Sequence, residues 1–315
     1  MVIGKMTDLA DLDWRSNISA LSFPHEAGPG LWILGNYFFN LYLAQGEQAS
    51  ILIEAGVSAI ADSVKAQLEQ IAITPTFLVV THPHADHVTG IDAFREFYPH
   101  IILIAGKGAP EFLAHPKSGK SIAVEDRHMS EFLRSQGIIP GRIPVPEGPT
   151  LENCLVAADG DEMDLGGLTV RFLEVGGHSP GKIVVHIPEK RALLLSDSLG
   201  FRYPGRGFLP LFLTNRADYI DTLARLERLS AEFVGLAHQG YLVGRDAAGA
   251  FAQAGLQAQQ LIKAIQEDQR SEEALVVDLF QKYYRDELLL YTEGNIMNCM
   301  RLIVKRAREQ EKSRS

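Results

Sequence analysis

Apolar runs separated by turn residues predict alternating strands and helices over the first two thirds of the chain. Residues 31–43 and 50–53 are apolar and rich in β-forming residues, and the polar turn between them indicates a hairpin-like pair of strands. Apolar residues recur at helical spacing over residues 57–71, which predicts an amphipathic helix. A buried strand at 77–81, a helix at 90–97 and a strand at 101–105 follow. This alternation predicts a layered α/β domain.

The second half of that domain shows a different pattern. Residues 106–150 are rich in glycine, proline and charge, and they predict an irregular insertion that borders the functional site. Short strands with glycine-rich turns return over residues 151–195. A helix around Tyr219, Leu223 and Leu226 and a further strand at 233–236 complete the predicted domain.

After about residue 245 the pattern becomes purely helical. Three apolar stripes at helical spacing predict three amphipathic helices, which cannot bury those stripes alone and should dock on the α/β body. We therefore predict an α/β domain over residues 1–245 and a C-terminal α-helical extension over residues 246–315 that packs near the active site.

Composition narrows the classes of protein that this chain could represent. The 315 residues are 46% hydrophobic and 22% charged, which is typical of a globular protein. A net charge of −9 disfavours a broad surface for nucleic acid. No apolar run is long enough for a membrane span, and residues 1–16 carry three aspartates without the apolar core of a secretory signal. With Cys154 and Cys299 expected to be reduced thiols, we predict a cytoplasmic protein.

The densest chemical signal is the segment Thr-His-Pro-His-Ala-Asp-His at residues 81–87, directly behind the predicted strand at 77–81. It places His82, His84, Asp86 and His87 within six positions. Pro83 argues against a regular helix, because proline lacks an N–H and disfavours the helical conformation of the preceding residue. We therefore predict a strand-to-loop junction. Three imidazoles and one carboxylate so close together suit zinc, iron or manganese.

Three further candidate ligands follow later strands. His178 lies in a glycine-rich turn after the strand that ends at Val175, Asp197 follows the apolar run 193–195, and His238 follows the strand at 233–236. Each residue alone is more typical of a cap or turn than of a ligand. Their shared position just past a strand predicts that they converge with residues 82–87 at one edge of the sheets.

This ordered set, together with the flanking segments 51–56 and 177–181, resembles the metallo-β-lactamase-fold hydrolases over about residues 30–245. The resemblance implies a four-layer αββα sandwich with two metal ions at one edge. It further implies that Asp197 bridges the two ions. According to the resemblance, the remaining ligands of the first metal are His82, His84 and His178. Those of the second metal are Asp86, His87 and His238.

The presence of both Asp86 and His87 resembles the dinuclear thioesterase and lactonase branches of that superfamily. Two divalent ions, zinc first and iron or manganese as alternatives, would lower the pKa of a bridging water, so that metal-bound hydroxide attacks an acyl carbonyl at neutral pH. Asp86 is the candidate catalytic residue, which would orient the nucleophile and pass a proton. Asp92 and Ser179 are candidates to orient the imidazoles.

Departures from the family pattern keep alternatives open. Glu54 stands where aspartate is usual, and Ser196 and Ala237 stand where glycine is usual. The layout, with its helical extension, resembles the PqsE-like quinolone-signal response proteins of the superfamily. We therefore predict a thioesterase, with a lactonase or phosphodiesterase of the same fold and a PqsE-like regulatory or binding protein as the alternatives.

The substrate is predicted less sharply than the metal site. An arginine at the mouth of an aromatic pocket would suit a small-molecule acyl substrate, and the helical extension is compatible with a homodimer. Tyr291 is a further aromatic residue that would help to close the entrance. The candidate substrate residues are Phe201, Arg202 and Tyr203 after the bridging aspartate, and Tyr283 and Tyr284 on the predicted C-terminal helices.

Overall fold

The computed structural model of the chain describes residues 22–138 and 141–310. Residues 1–16, for which no secretory signal is predicted, and residues 311–315 lie outside this part of the chain. The strands are β1 (His25–Gly28), β2 (Leu31–Gly35), β3 (Asn40–Gln45), β4 (Ser50–Ile53), β5 (Phe77–Val80), β6 (Ile102–Gly106), β7 (Leu155–Ala157), β8 (Glu162–Asp164), β9 (Thr169–Glu174), β10 (Ile183–Ile187), β11 (Ala192–Leu194), β12 (Phe201–Tyr203), β13 (Gly207–Leu209), β14 (Phe233–Gly235) and β15 (Tyr241–Val243).

Helices separate these strands and fill the C-terminal part of the chain. The α-helices are α1 (Ala61–Gln70), α2 (Ala85–Val88), α3 (Ile91–Phe97), α4 (Ala109–Ala114), α5 (Pro116–Ser135), α6 (Arg216–Glu227), α7 (Gly244–Glu267), α8 (Glu272–Tyr283) and α9 (Glu293–Arg308). Short 3₁₀ turns lie at Ser58–Ile60, Pro188–Lys190, Ser196–Leu199 and Asp286–Leu290.

The strands form two mixed sheets and one short ribbon. The first sheet has the order β1-β2-β3-β4-β5-β6-β7, antiparallel from β1 to β4 and parallel from β4 to β7. The second has the order β15-β14-β11-β10-β9-β8 and is antiparallel except between β11 and β14. Strands β12 and β13 pair with each other as a ribbon.

Alternation along the strands shows that the two sheets pack face to face. In β3, Tyr42 and Ala44 enter a cluster built from both sheets, whereas Leu41 and Leu43 enter the cluster that contains the helices. Successive side chains of a strand point to opposite faces, so each sheet has one face on its partner and one on helices. The predicted four-layer αββα sandwich is therefore confirmed, together with the helical extension.

Two predicted segments differ from the structure. Residues 31–43 form β2 and β3 rather than one strand, because Gly35 adopts φ +96° and the Asn36 side chain accepts hydrogen bonds from the backbone N–H groups of Phe38 (2.9 Å) and Phe39 (3.0 Å). Residues 106–150 are not irregular throughout, since they contain α4 and the 20-residue helix α5.

Local signals at the start of helix α5 favour a helix, although the segment contains a glycine and several charged residues. Pro116 occupies the first helical position, where its missing N–H costs nothing, and His115 caps the helix by accepting from the Lys117 N–H. Its buried face, which includes Ile122, Met129 and Leu133, packs in the core shared with the sheets.

The three predicted C-terminal helices are present as α7, α8 and α9. Their buried residues, among them Ala254, Leu275 and Met300, belong to the same core cluster as Val184 and Leu193 of the second sheet. A division into two domains near residue 245 stays a prediction. Within residues 22–138 and 141–310, no helix is both long enough and apolar enough to cross a membrane.

Candidate metal centre

The segment after β5 changes from loop to helix in the middle of the His-rich motif. His84 has extended backbone angles (φ −84°, ψ 155°) and directly precedes α2, so His82 and His84 lie on the loop. Asp86 and His87 lie in the helical turn itself, which corrects the expectation of loop throughout. The restraint of Pro83 acts on itself and on the residue before it, so it leaves the chain free to turn helical from residue 85.

The other three candidate ligands also follow strands, as predicted. His178 lies in the loop after β9, Asp197 in the 3₁₀ turn after β11, and His238 in the bend after β14. Ser196 takes a left-handed conformation (φ 52°) immediately before Asp197, a position where glycine would be unstrained. All seven predicted ligands meet at one edge of the two sheets and form two groups that share Asp197.

The first group consists of His82, His84, His178 and Asp197. The Nε2 atom of His82 lies 3.0 Å from His84 Nδ1 and 3.3 Å from His178 Nε2. The Oδ2 atom of Asp197 lies 3.5 Å from His82 Nε2 and 3.6 Å from His178 Nε2. His82 and His178 thus present Nε2 and His84 presents Nδ1 to a common point.

The second group consists of Asp86, His87, Asp197 and His238. The Oδ2 atom of Asp86 lies 3.2 Å from the Nε2 atoms of both His87 and His238. Asp197 contributes both oxygens, with Oδ2 at 3.1 Å from His87 Nε2 and Oδ1 at 3.5 Å from His238 Nε2. Asp197 therefore faces both groups at once.

The spacing of these atoms fits metal coordination. Four donors at 2.0–2.1 Å from one tetrahedral ion lie about 3.3–3.4 Å from each other. The donor-to-donor distances given above for the two groups run from 3.0 Å to 3.6 Å, and all donors of a group lie within 4.8 Å of one another. Buried imidazole and carboxylate atoms that converge in this way, with their lone pairs toward one point, suit a divalent cation of the zinc, iron or manganese class.

The far nitrogens of the imidazoles have fixed partners that hold the rings in place. His87 Nδ1 donates to Glu54 Oε2 at 2.9 Å, His238 Nδ1 donates to the Phe38 carbonyl at 2.6 Å, and His178 Nδ1 donates to the Leu211 carbonyl at 3.1 Å. Hydrogen bonds of this kind select the tautomer and orient the coordinating nitrogen. Glu54 itself is buried and is fixed by the Thr81 hydroxyl, which donates to Oε1 at 2.7 Å.

The residues predicted to orient the imidazoles have other partners. The Asp92 carboxylate accepts from the Arg95 guanidinium at 3.2 Å, and the Ser179 hydroxyl donates to the Pro180 carbonyl at 3.3 Å. Around His82 Nδ1 lie instead the Thr81 hydroxyl at 3.1 Å and the buried Lys182 ammonium at 3.4 Å.

Burial and charge divide the histidines into two electrostatic classes. Burial is the largest influence on the first group, and it holds the pKa of His82 and His178 well below the usual histidine range and lowers that of His84 to about 4. Burial acts in the same direction on His87 and His238. There the surrounding carboxylates, Asp86 and Asp197 among them, outweigh it and raise both pKa values.

The two aspartates stay ionised in this environment. Burial by itself would raise the pKa of Asp86, but the imidazoles of His87 and His238 outweigh it and hold the pKa well below its usual range. The pKa of Asp197 is lowered for the same reason, with His87 and His238 as the strongest opposing charges. The site therefore offers two carboxylate ligands at neutral pH.

A cavity of about 460 Å³ adjoins both groups. His84, Asp86, His178, Asp197 and His238 form part of its wall. Apart from polar residues such as Glu125 and Arg306, most of the remaining wall is apolar and comes from α4, from α5, from the segment around β13 and from the C-terminal extension. These apolar residues include Phe112, Ile122, Met129, Leu209, Leu211, Leu213, Leu288, Ile296, Met300 and Leu302.

The match to a known family covers most of the sandwich. The family model of the Metallo-beta-lactamase superfamily matches residues 35–238, which are about two thirds of the chain and extend from the end of β2 to the last candidate ligand. The chain belongs to the metallo-beta-lactamase superfamily. The resemblance seen in the sequence is thereby confirmed.

Relatives with similar sequences include a hydrolase and a thioesterase. A hydroxyacylglutathione hydrolase from Ruegeria pomeroyi is 27% identical over 151 residues, which are 46% of this chain and 44% of that protein. The human acyl-coenzyme A thioesterase MBLAC2 is 25% identical over 233 residues, or 67% of this chain and 78% of that protein. The match thus spans less than half the length of the first relative and about three quarters of the second.

Solved structures of the superfamily share the fold at low sequence identity. A beta-lactamase domain protein from Burkholderia ambifaria superposes with a TM-score of 0.64 at 19% identity, over 90% of this chain and 89% of that one. A metallo-beta-lactamase family protein from Thermus thermophilus gives a TM-score of 0.61 at 19% identity, over 87% and 93% of the two chains.

The predicted substrate residues of this superfamily member occupy different places. Phe201 lines the cavity. Arg202 is not part of the cavity wall, and its guanidinium donates to the Gln239 carbonyl at 2.6 Å. The Tyr203 hydroxyl donates to the Tyr283 carbonyl at 2.9 Å, and their rings stack on each other outside the wall.

The aromatic residue of the extension that reaches the candidate centre is Tyr291. Its hydroxyl lies 2.8 Å from Asp86 Oδ2, and its ring forms part of the cavity wall. Tyr284 lies behind it, outside the wall, and donates its own hydroxyl to the Tyr291 carbonyl at 2.9 Å. The sequence alone could not single out Tyr291 as the residue that reaches the centre, because Tyr283, Tyr284 and Tyr291 lie within nine positions of each other.

Proposed function

We propose that this chain is a dinuclear metal-dependent hydrolase that cleaves the thioester bond of a small acyl substrate. The observation that carries the proposal is the pair of ligand groups that share Asp197 at the wall of an apolar cavity. Membership of the superfamily and the names of its relatives indicate a hydrolase. The relatives' names, which specify thioester substrates, support the choice of bond.

The seven proposed ligands divide as the geometry groups them. His82, His84 and His178 would hold one ion, Asp86, His87 and His238 the other, and Asp197 both. Zinc is the first choice, with iron or manganese as alternatives that the same donors accept. When bound, the two ions would supply Lewis-acid activation of water and of a carbonyl group at neutral pH.

The protein's own groups would complete the chemistry. We propose that Asp86, ionised and at the cavity wall, orients the attacking water by accepting its hydrogen bond and can take up a proton from it. The hydrogen bonds from His87 to Glu54 and from His178 to Leu211 would keep the coordinating nitrogens aimed while charge develops.

The cavity would bind the acyl group and exclude bulk water from the carbonyl. Most of its wall is apolar, although α5 and the extension also contribute polar residues such as Glu125 and Arg306, and the apolar part suits a hydrocarbon chain. An apolar acyl thioester is therefore the substrate class that the cavity favours. Each buried methylene would contribute about 0.8 kcal/mol to binding.

A substrate panel tests this function directly. Acyl-coenzyme A, acyl-glutathione, lactone and phosphodiester substrates are compared on one metal-loaded preparation, with the His84→Ala variant as the matched control that lacks one ligand. We expect turnover of acyl thioesters that His84→Ala abolishes. Faster turnover of the lactone or the phosphodiester would contradict the thioesterase assignment, and a fully loaded centre without turnover of any substrate would favour a regulatory or binding protein.

A further inference from the structure

The phenol of Tyr291, in the C-terminal extension, reaches the candidate metal centre. Its hydroxyl donates to Asp86 Oδ2 at 2.8 Å and lies 3.3 Å from His238 Nε2. Both of these atoms belong to the second ligand group. Asp86 and Tyr291 are 205 residues apart in sequence, so the contact depends on how the extension docks.

Several contacts fix the position of Tyr291. Its side chain is buried, and its ring lies edge-on to Phe201 at 6.2 Å and to the imidazole of His238 at 6.3 Å. The next residue, Thr292, caps α9 and donates its backbone N–H to the buried Glu125 of α5 at 3.2 Å. The phenol is therefore part of a packed element and not a side chain on a free tail.

The hydroxyl belongs to a residue outside the two ligand groups. Asp86 Oδ2 has the imidazoles of His87 and His238 at 3.2 Å on the ligand side. Apart from the candidate ligands, the residue within 22–138 and 141–310 that forms a hydrogen bond to the Asp86 side chain is Tyr291. A phenol is protonated at neutral pH, so it donates and leaves the second lone pair of the oxygen for a metal ion.

We propose that Tyr291 is a positioning residue for the second metal ion, because it fixes the Asp86 carboxylate and so makes the C-terminal extension a part of the metal centre. The inference rests on the proposed dinuclear site. It explains why this segment of the extension is anchored on both sides of the tyrosine, by Glu287 to Tyr37 and by Thr292 to Glu125. Partners that orient a ligand typically change metal affinity by about 10–100-fold when they are removed.

The test compares two tyrosine-to-phenylalanine variants of the full chain. Tyr291→Phe removes the bond to Asp86 and keeps the ring. The matched control Tyr37→Phe removes the hydrogen bond from the buried Tyr37 hydroxyl to the Glu287 carboxyl group, which has the same length of 2.8 Å as the bond from Tyr291 to Asp86. Glu287 lies in the 3₁₀ turn Asp286–Leu290, directly before Tyr291. Tyr37 belongs to neither ligand group.

Metal release to a chelator and the absorption spectrum of the cobalt-loaded protein are the readouts, neither of which needs turnover. The two metal equivalents are assigned with His84→Ala and His87→Ala, each of which lacks one ligand of one group. We expect Tyr291→Phe to release the ion of the second ligand group about 10–100-fold faster than the wild type and to change the cobalt spectrum. The ion of its first group should behave as in the wild type, and so should both ions of Tyr37→Phe.

Two results would overturn the inference alone. In the first, the wild type binds two ions and Tyr291→Phe releases them at the wild-type rate. In the second, Tyr37→Phe accelerates metal release as much as Tyr291→Phe does, which would indicate that the segment is loosened in general. A wild-type chain that binds fewer than two ions would overturn the proposed function together with the inference. The thermal unfolding midpoint of both variants confirms that each is folded.

Discussion

The imidazoles of His87, His178 and His238 are each held by a group that is not one of the candidate ligands. Glu54 shows this most clearly, because its Oε2 accepts from His87 Nδ1 while its Oε1 accepts from the Thr81 hydroxyl. The residue has a left-handed backbone (φ 78°) at the end of β4, which turns its carboxylate toward the centre. Glu54 thus links β4 to the loop that follows β5.

Removal of this carboxylate should weaken one half of the centre. We expect Glu54→Ala to lower the affinity of the second group for metal by about 10–100-fold, because His87 loses the partner that fixes its tautomer. Competition with a chelator measures this affinity. Glu69→Ala, a change at an exposed carboxylate paired with Lys65, serves as the control and should have no effect. An unchanged affinity in Glu54→Ala would contradict the role.

The two classes of histidine predict that the two ions are lost at different pH. The carboxylates raise the pKa of His87 and His238, so protons compete with metal there at higher pH. In the first group burial lowers the histidine pKa values, that of His84 to about 4, so these nitrogens stay free of protons further into the acid range. As the pH falls, the second group should therefore release its ion first.

Metal content after dialysis at steps from about pH 8 to about pH 5 checks this order, since histidine titrations commonly fall in that window. His84→Ala reports on the second group and His87→Ala on the first, because each variant disables the other half. Release at the same pH from both variants, or earlier release from the first group, would contradict the electrostatic account.

Candidate ligand residues could be picked out from the sequence and lie together in the structure, whereas the groups that contact them could not be predicted. The close spacing of His82, His84, Asp86 and His87 marks them as candidate ligands in the sequence. Their residue types, imidazole and carboxylate, already restrict the kind of metal ion that they could bind. Glu54 and Tyr291 are ordinary residues until folding brings them to their partners across 33 and 205 positions. The expected partners Asp92 and Ser179 were near in sequence, but their side chains bond elsewhere.

At the scale of elements, helix α5 forms one wall of the cavity. Ile122 and Met129 face the cavity, while Val124 on the same helix is 57% exposed. The prediction that residues 106–150 border the site agrees with this position, although the irregular structure expected there was wrong. Glycine and charge obscured the helical period, and the signals that indicate a helix, Pro116 at the first position and the apolar spacing from Ile122 to Met129, are weak individually.

A larger side chain on this wall should shorten the acyl group that fits. We expect Ile122→Trp to reduce kcat/KM for the longest accepted acyl thioester by about tenfold, since two excluded methylenes cost about 1.6 kcal/mol, while the shortest substrate is little affected. Val124→Trp is the control on the exposed face. Equal losses for all chain lengths would indicate damage to the fold and not a boundary of the pocket.

Helix α5 is attached to the sandwich by one fully buried carboxylate, Asp126. It accepts from the Ser58 hydroxyl at 2.6 Å, the Ser58 N–H at 3.1 Å, the Thr89 hydroxyl at 2.6 Å and the Val145 N–H at 2.9 Å. Through these bonds it ties α5 to the turn before α1, to the end of α2 and to residue 145.

Loss of that carboxylate should destabilise the protein. We expect Asp126→Ala to lower the free energy of unfolding by about 2–4 kcal/mol, because at least two buried donors lose their partner at about 1–3 kcal/mol each. Denaturant unfolding measures the change. Asp92→Ala, at a carboxylate side chain that is 55% exposed, should stay within about 0.5 kcal/mol of the wild type. A neutral Asp126→Ala would show that these donors find other partners.

For the whole molecule, the sequence predicted the order of layers well because alternation within strands and the stripes of the helices are local patterns. The C-terminal helices could be predicted as elements, but their docking could not, since an apolar stripe does not specify which surface buries it. The consequence is functional. Leu288, Tyr291 and Ile296 of the extension close the cavity whose other walls come from the sandwich.

The fold therefore gathers its chemistry at one edge from segments spread over most of the chain. The seven proposed ligands come from the segments that follow β5, β9, β11 and β14, including helix α2, and the cavity beside them is lined by α5 and the extension. Asp197 is the residue shared by both ligand groups, and it follows β11 near the middle of the second sheet.

The dinuclear site is tested by the metal content per chain, measured by elemental analysis of the wild type, His84→Ala and Asp197→Ala. We expect two equivalents in the wild type and about one in His84→Ala, which disables only the first group. Asp197→Ala should retain fewer equivalents than His84→Ala because both groups lose a ligand. Two equivalents in Asp197→Ala, or none in the wild type after incubation with zinc, iron or manganese, would contradict the account.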